Sequence, residues 1–175
     1  MKLKTCFRFL ALAAVSAACV HALAQPREGK GASMDQRFVT EAAQGGQAEI
    51  ASSQLALQKA QRKEVKDFAT QMIEDHTRTG QELATLARSK GMEAPTEPSR
   101  QQAETIRKLG AMKDAEFERR YVQEMGVKAH KQTVALFEKA AANAQDKDIK
   151  AFAAEKLSTL RHHLEMAQKL DSSKR

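Results

Sequence analysis

"VKDFATQMIEDHTRTGQELATLA", residues 65–87, carries the pattern from which the fold is read. Val65, Phe68, Ala69, Met72, Ile73, Leu83, Leu86 and Ala87 recur at the spacing of one helix face. The centre of that stripe falls on His76. A titratable imidazole therefore stands where a core leucine is expected. A helix of this length needs partners for its apolar face, and the flanking sequence supplies three more patterns like it.

Upstream, Ser33 is placed to cap a first helix whose inner face reads Phe38, Val39, Ala42, Ala43, Gly46, Ile50 and Ala56. "QRKE" (61–64) is a polar corner without Gly or Pro. The second helix runs from about Arg62 to Lys90 and stops at Gly91, a C′ position, with Pro95 and Pro98 beyond it. Residues 91–113 form one long connection, expected to hold a short helix from Ser99 to Leu109 ended by Gly110. A third long pattern starts near Asp114 and reaches about Ala144. "NAQDKD" (143–148) then makes a turn in which Asp146 or Asp148 caps a fourth helix ending near Leu170. β-Branched alternation and Asn-Gly turns, the signatures of strands, do not occur.

"VKDFATQM" (65–72) has an echo in "IKAFAAEK" (149–156), each opening the second helix of a hairpin. Two hairpins joined by a connection long enough to travel the length of a helix describe an all-α, ferritin-like four-helix bundle. A plain up-and-down bundle is the alternative, and the length of the connection argues against it.

The first 24 residues stand apart. Lys2, Lys4 and Arg8 precede the apolar run "FLALAAVSAACV", and Ala22-Leu23-Ala24 offers a small-x-small cleavage site before Gln25. The expected organisation is a cleaved signal peptide (1–24), a polar tether (25–33) and a bundle domain (34–171), giving an exported, periplasmic protein. Lipidation at Cys19 is disfavoured because "SAAC" lacks a leucine three residues upstream. Cleavage takes away three basic residues and no acidic ones. Basic residues fall from 29 to 26 against 22 acidic, and the formal charge from +7 to +4. Cys6 and Cys19 leave as well, so the mature chain has neither a disulfide nor a thiolate. Basic and acidic residues alternate along "RKEVKD", a solvated helix surface, and with Tyr121 the one tyrosine and no tryptophan there is no stacking platform for nucleic acid. No membrane span is expected after cleavage, and the oligomeric state is expected to be monomer or weak dimer.

"FVTEAAQGGQAEI", "VKDFATQMIEDH", "MGVKAHKQTVALFEKAA" and "IKAFAAEKLSTLRHHLEMAQ" together resemble the exported bacterial family called domain of unknown function 4142. The resemblance spans about residues 35–170. It implies a ferritin-like bundle outside the cytoplasm and brings no settled activity. Where many relatives resemble "xDH" in the third helix this chain has "KAH", so Ala129 places no carboxylate beside His130.

Helical-wheel reasoning gives every long helix one inward polar residue. Glu49 lies in the stripe of the first helix and His76 centres that of the second. His130 shares a face with Val127, Val134 and Phe137, and His163 flanks the stripe of Ile149, Ala153 and Leu160. Glu49, His76 and His130 fall near the middle of their helices. His163 sits four or five residues past its own, about 7 Å at 1.5 Å per residue. One extra residue between Met125 and His130 would align the stripe of Phe117, Tyr121 and Met125 with that of His130, Val134 and Phe137. A π-bulge would supply it. The alternative is that the first half faces the crossover.

Glu49, His76, His130 and His163 are thus candidate ligands for a divalent metal such as zinc, iron or copper. Met72, Met125 and Met166 lie close by in sequence and would suit Cu(I). The Glu-x-x-His pairs of di-iron bundles are missing, since Ile73, Val127 and Leu160 stand three residues before the histidines. The competing reading is a hydrogen-bonded core network in which Glu49 accepts from the imidazoles. No nucleophile elbow or phosphate-binding glycine loop is present. The expectation is therefore not an enzyme but a binding or envelope-stress module. Metal binding is the alternative, and docking to an envelope partner through an exposed helix face is a third.

Overall fold

The computed structural model describes residues 33–173. The signal peptide and nearly all of the tether expected from the sequence lie outside them. The helices are α1 (Met34–Lys59), α2 (Lys63–Ser89), α3 (Arg100–Ala111), α4 (Asp114–Arg120), α5 (His130–Asn143) and α6 (Lys147–Ser172). Between α4 and α5, Tyr121–Ala129 is a π-helical segment, so Asp114–Asn143 is one long helix with a widened middle. Among the described residues there is no strand, and no helix is long and apolar enough to cross a membrane.

Local chemistry sets most boundaries. The Ser33 hydroxyl accepts from Gln36 N at 3.1 Å and starts α1. Gly91 takes φ +66°, the left-handed conformation that lets the chain leave α2. Ser99 and Gln102 form a reciprocal capping box on α3, and the Asp146 carboxylate accepts from Asp148 N and Ile149 N at the start of α6. α3 runs through Gly110 to Ala111, a residue beyond the stop expected there. Two buried carboxylates clamp the ends of the bundle. Asp35 accepts from Gln145 N (3.0 Å) and Asp146 N (2.8 Å), joining the start of α1 to the α5–α6 turn. Glu118 of α4 accepts from Gln61 N (2.8 Å) and Arg62 N (3.1 Å) and pairs with the Arg62 guanidinium, closing the α1–α2 corner.

α1 packs along α2, and α5 along α6, as two hairpins. The interior is divided into two apolar clusters. One gathers Phe68, Met72, Leu109, Phe117, Tyr121 and Val122, and the other Phe38, Val39, Leu83, Phe137, Ile149 and Phe152. α2 ends in the second cluster and α4 begins in the first, so the crossover carrying α3 travels the length of the bundle. That makes the third long helix parallel to α2, the ferritin-like arrangement. Each long helix passes from one cluster to the other, and His76, His130 and His163 fall at the changeover, with Glu49 beside it.

Candidate metal centre

The three histidines meet. Ring centroids are separated by 5.7 Å (His76–His130), 5.6 Å (His76–His163) and 5.5 Å (His130–His163), an almost equilateral triangle. One ligating atom from each lies within 4.8 Å of the other two. His130 and His163 are 1% exposed and His76 is 7% exposed. The axial offset expected for His163 does not keep it from the other two.

Each ring keeps one buried nitrogen without a hydrogen-bond partner in the protein: His76 Nε2, His130 Nε2 and His163 Nδ1. For His163 and His130 the opposite nitrogen explains why. His163 Nε2 donates to Asp75 Oδ2 at 2.9 Å, which leaves Nδ1 as the lone-pair nitrogen. His130 Nδ1 donates to the Met125 carbonyl at 3.1 Å, which leaves Nε2 as the lone-pair nitrogen. That carbonyl lies five residues back, inside the π-helical segment. The π-bulge reading of the Met125–His130 register is thus the one realised, and it supplies the acceptor that orients His130.

Burial holds the rings neutral. It brings His76 down to about 3, with the neighbouring His130 and His163 adding to the shift. It brings His130 down to about 4. His163 is also lowered by burial, opposed by its bond to Asp75. Asp75 is pushed up by burial, but hydrogen bonds from Gln71 (2.8 Å) and His163, with the charges of His163 and Arg78, outweigh this and leave it below the usual carboxylate value.

Glu49 is placed differently from the reading in which it anchors a network. Its Oε1 stands 3.7 Å from His130 Nδ1, too far for a hydrogen bond. Both carboxylate oxygens are buried and unpartnered, and Glu49 is not one of the close group of three. Burial raises its pKa well above the ordinary carboxylate value. The expected network of imidazoles bonded to Glu49 does not form. A polar residue on an apolar face signals burial but not which partner it meets.

The wheel singled out all three histidines and did not find Asp75. Its signal was present as the residue preceding the stripe's centre in "EDH", but its partner lies 88 residues away. His162 is exposed. Met72 and Met125 are buried within the first apolar cluster, and Met166 packs against it.

Residues 20–170 match the family described as "Domain of unknown function (DUF4142)". The chain belongs to this family. No curated protein matches it. Among solved structures, it is similar to CopM in the Cu(II)-bound form, at 18% identity and a TM-score of 0.66 over 79% of this chain and 95% of that one. CopM in the Cu(I)-bound form aligns at 19% identity and a TM-score of 0.65, over 78% and 94%. A DUF305 fragment from Deinococcus radiodurans aligns at 12% identity and a TM-score of 0.70, over 82% and 99%. At these identities the likeness is one of fold. The member of the family in hand is an all-α bundle with a buried three-histidine cluster.

Proposed function

We propose that this protein binds a transition-metal ion through His76, His130 and His163, and that binding is its function. The observation that carries this reading is the convergence of three buried imidazoles, each with one unpartnered ring nitrogen, within 4.8 Å of one another. A buried polar atom left without a partner costs about 1–3 kcal/mol. Three at one point are an expensive way to fill a core unless something binds there.

The remaining features fit the same purpose. Atoms at the corners of a 4.8 Å triangle lie about 2.8 Å from its centre, and metal–imidazole bonds are about 2.0–2.1 Å. Closing that gap takes side-chain adjustments of less than an ångström per ring. Asp75 and the Met125 carbonyl hold the outer nitrogens of two ligands, as carboxylates and carbonyls do behind metal-bound histidines. The rings are already neutral at neutral pH, so an ion displaces no proton from them. Neutral imidazoles without thiolates suit zinc and copper ahead of calcium or magnesium. CopM, which shares the fold, is known in Cu(I)- and Cu(II)-bound forms, so copper stands beside zinc in the test. With the ligands so deeply buried, little room remains at the ion for an organic substrate, which favours binding over catalysis. The amino-terminal pattern of Lys2, Lys4, Arg8 and Ala22-Leu23-Ala24 supports export to the periplasm.

The test is a titration of chelator-stripped protein with Zn²⁺, Cu²⁺ and Cu⁺, beside a variant with His76, His130 and His163 all replaced by Ala. The expected result is one equivalent of at least one ion, lost in the triple variant. An ion at 100 times its dissociation constant should also stabilise the wild type by about 2.7 kcal/mol. Absence of binding, or equal binding by the triple variant, overturns the proposal.

A further inference from the structure

Three imidazole nitrogens leave a four-coordinate ion one donor short. Among the described residues no carboxylate joins the close group: Glu49 stands outside it, and Asp75 bonds the outer nitrogen of His163. The triad has two faces along the bundle axis, and they differ. On one the chain is packed shut. Met72 precedes His76 by four residues, Met125 precedes His130 by five and Ala167 follows His163 by four, and all three are buried in the first apolar cluster. Packing there is so close that a Cβ on Gly126 would stand 2.9 Å from that of Ala167. On the other face lies a crevice of about 80 Å³ lined by Gly46, His76, Gly80, Thr133 and Leu160 among others. Gly80 follows His76 by four residues, Thr133 follows His130 by three and Leu160 precedes His163 by three. α5 runs parallel to α2 and α6 antiparallel to both, so these three steps point the same way along the axis. The crevice therefore caps the triad one turn away, and His76 is the member that lines it. Opposite that ring α1 presents Gly46, where an added Cβ would stand 3.9 Å from His76 Nδ1. The larger cleft of about 460 Å³ between α1, α3, the π-helical segment and α5 touches none of the three histidines.

We infer that a divalent ion in the triad keeps its fourth position open toward this crevice, and that a small monovalent anion binds there. This rests on the metal-binding reading above and adds a second ligand to it. The crevice has room for about two or three water molecules, so it admits an anion of two or three heavy atoms and excludes an aromatic one. Charge favours an anion over a neutral ligand. With imidazoles as the protein donors, the ion's charge is not compensated within the close group, and burial makes an uncompensated charge costly. An anion at the open position reduces that charge. The rival is a thioether of Met72 or Met125 on the packed face, which would close the fourth position from within the protein.

The test loads chelator-stripped protein with one equivalent of Cu²⁺ or Co²⁺, whose absorption spectra report a coordinated anion, and titrates it with azide. Azide should change the spectrum saturably at one equivalent per ion. Benzoate, too large for the crevice, should leave it unchanged. Gly80 lies within α2 and a Cβ on it meets nothing within 4 Å. Helical side chains lean toward the helix N-terminus, so the ring introduced by Gly80→Phe covers the crevice above His76. This variant should weaken azide at least about tenfold while ion affinity stays within about twofold. Gly46→Ala narrows the crevice by one methyl at ordinary contact distance. It should weaken azide to a smaller degree, and it decides the matter if Gly80→Phe disturbs the ion itself. Gly45→Phe, in the larger cleft, should change neither affinity, and thermal melts verify that each variant is folded. A loaded wild type indifferent to azide overturns the open position. A response to benzoate, or wild-type azide affinity in both Gly80→Phe and Gly46→Ala, overturns its placement in the crevice. A chain that takes up neither ion overturns the metal-binding reading for divalent ions, and the anion position with it.

Discussion

His163 Nε2 and Asp75 Oδ2 are 2.9 Å apart, and this bond joins α6 to α2 at the height where the two apolar clusters meet. Asp75 is itself held by Gln71 Nε2 at 2.8 Å and by the Arg78 guanidinium. A chain of contacts thus runs from the surface arginine to a buried imidazole and fixes which nitrogen faces the triad.

Asp75→Ala should therefore act twice. It leaves His163 Nε2–H buried and unpaired, a loss of about 1–3 kcal/mol in metal-free stability. It also frees the ring to rotate or change tautomer, which typically lowers metal affinity about 10–100-fold. Urea melts and metal titrations of the variant check the two effects separately. Lower stability with unchanged affinity would make the bond purely a structural tie.

His76→Leu should separate function from stability in the opposite direction. His76 Nε2 is buried without a partner, and the ring is held neutral by burial. Leucine removes the desolvated polar atom and keeps an apolar volume at the centre of the α2 stripe. Metal-free His76→Leu should melt no lower than the wild type and should lose the gain that metal confers. Destabilisation of the metal-free protein by several kcal/mol would show instead that the imidazole is held by interactions worth keeping for the fold alone.

Elements were readable from residues near one another in sequence, and partnerships were not. Ser33 and Gly91 mark their boundaries within a turn of the helices they cap, so pattern alone places them, and it narrows the α6 cap to Asp146 or Asp148, of which the structure uses Asp146. The three histidines betray themselves by interrupting apolar stripes. Asp75 could not be assigned to His163 this way, because the wheel sets it beside His76 and says nothing of rotation between helices. Glu49 shows the converse: inward direction was readable, but the 3.7 Å gap to His130 depends on the spacing of α1 and α5. The π-helical segment lay between. The mismatch of two stripes hinted at an extra residue, and only packing decided that it is accommodated there.

The metal-free protein should lose stability as pH falls below neutrality. The unfolded chain binds protons at its histidines near 6.5, whereas folded His76 and His130 resist protonation down to about 3 and about 4. Across that window the unfolded state holds more protons and gains on the folded state as pH drops. Glu49 opposes this. Its raised pKa makes the folded state hold a proton that the unfolded chain has released above about 4.5, so its penalty grows as pH rises. Three lowered imidazoles, His163 included, outweigh one raised carboxyl, so the unfolded state holds more protons between roughly pH 4.5 and 6.5 and stability falls as pH drops. Melts in chelator across that range should show the midpoint falling steadily toward the acid end, with a shallower fall in His76→Leu. A flat profile would mean that the imidazoles titrate alike in both states.

Gly126→Ala tests whether close packing of the π-helical segment on α6 sets the geometry of the triad. A Cβ at Gly126 would stand 2.9 Å from the Ala167 Cβ and 3.7 Å from the Phe68 ring. The Ala167 methyl has no rotamer to change, so the backbones must separate. Overpacking of this kind costs about 1–3 kcal/mol. His130 follows Gly126 by four residues, and His163 precedes Ala167 by four, so each shares a helix face with the point of contact. Pushing the helices apart there moves the two imidazoles apart as well. The variant should lose stability and metal affinity together. Adding Ala167→Gly should restore both in part, against the roughly 1 kcal/mol that a helical glycine costs by itself. A double-mutant cycle read in urea midpoints and in dissociation constants should therefore show favourable coupling in both measures. If Gly126→Ala weakens the fold but leaves the dissociation constant unchanged, contact between the segment and α6 holds the bundle without setting the spacing of the ligands.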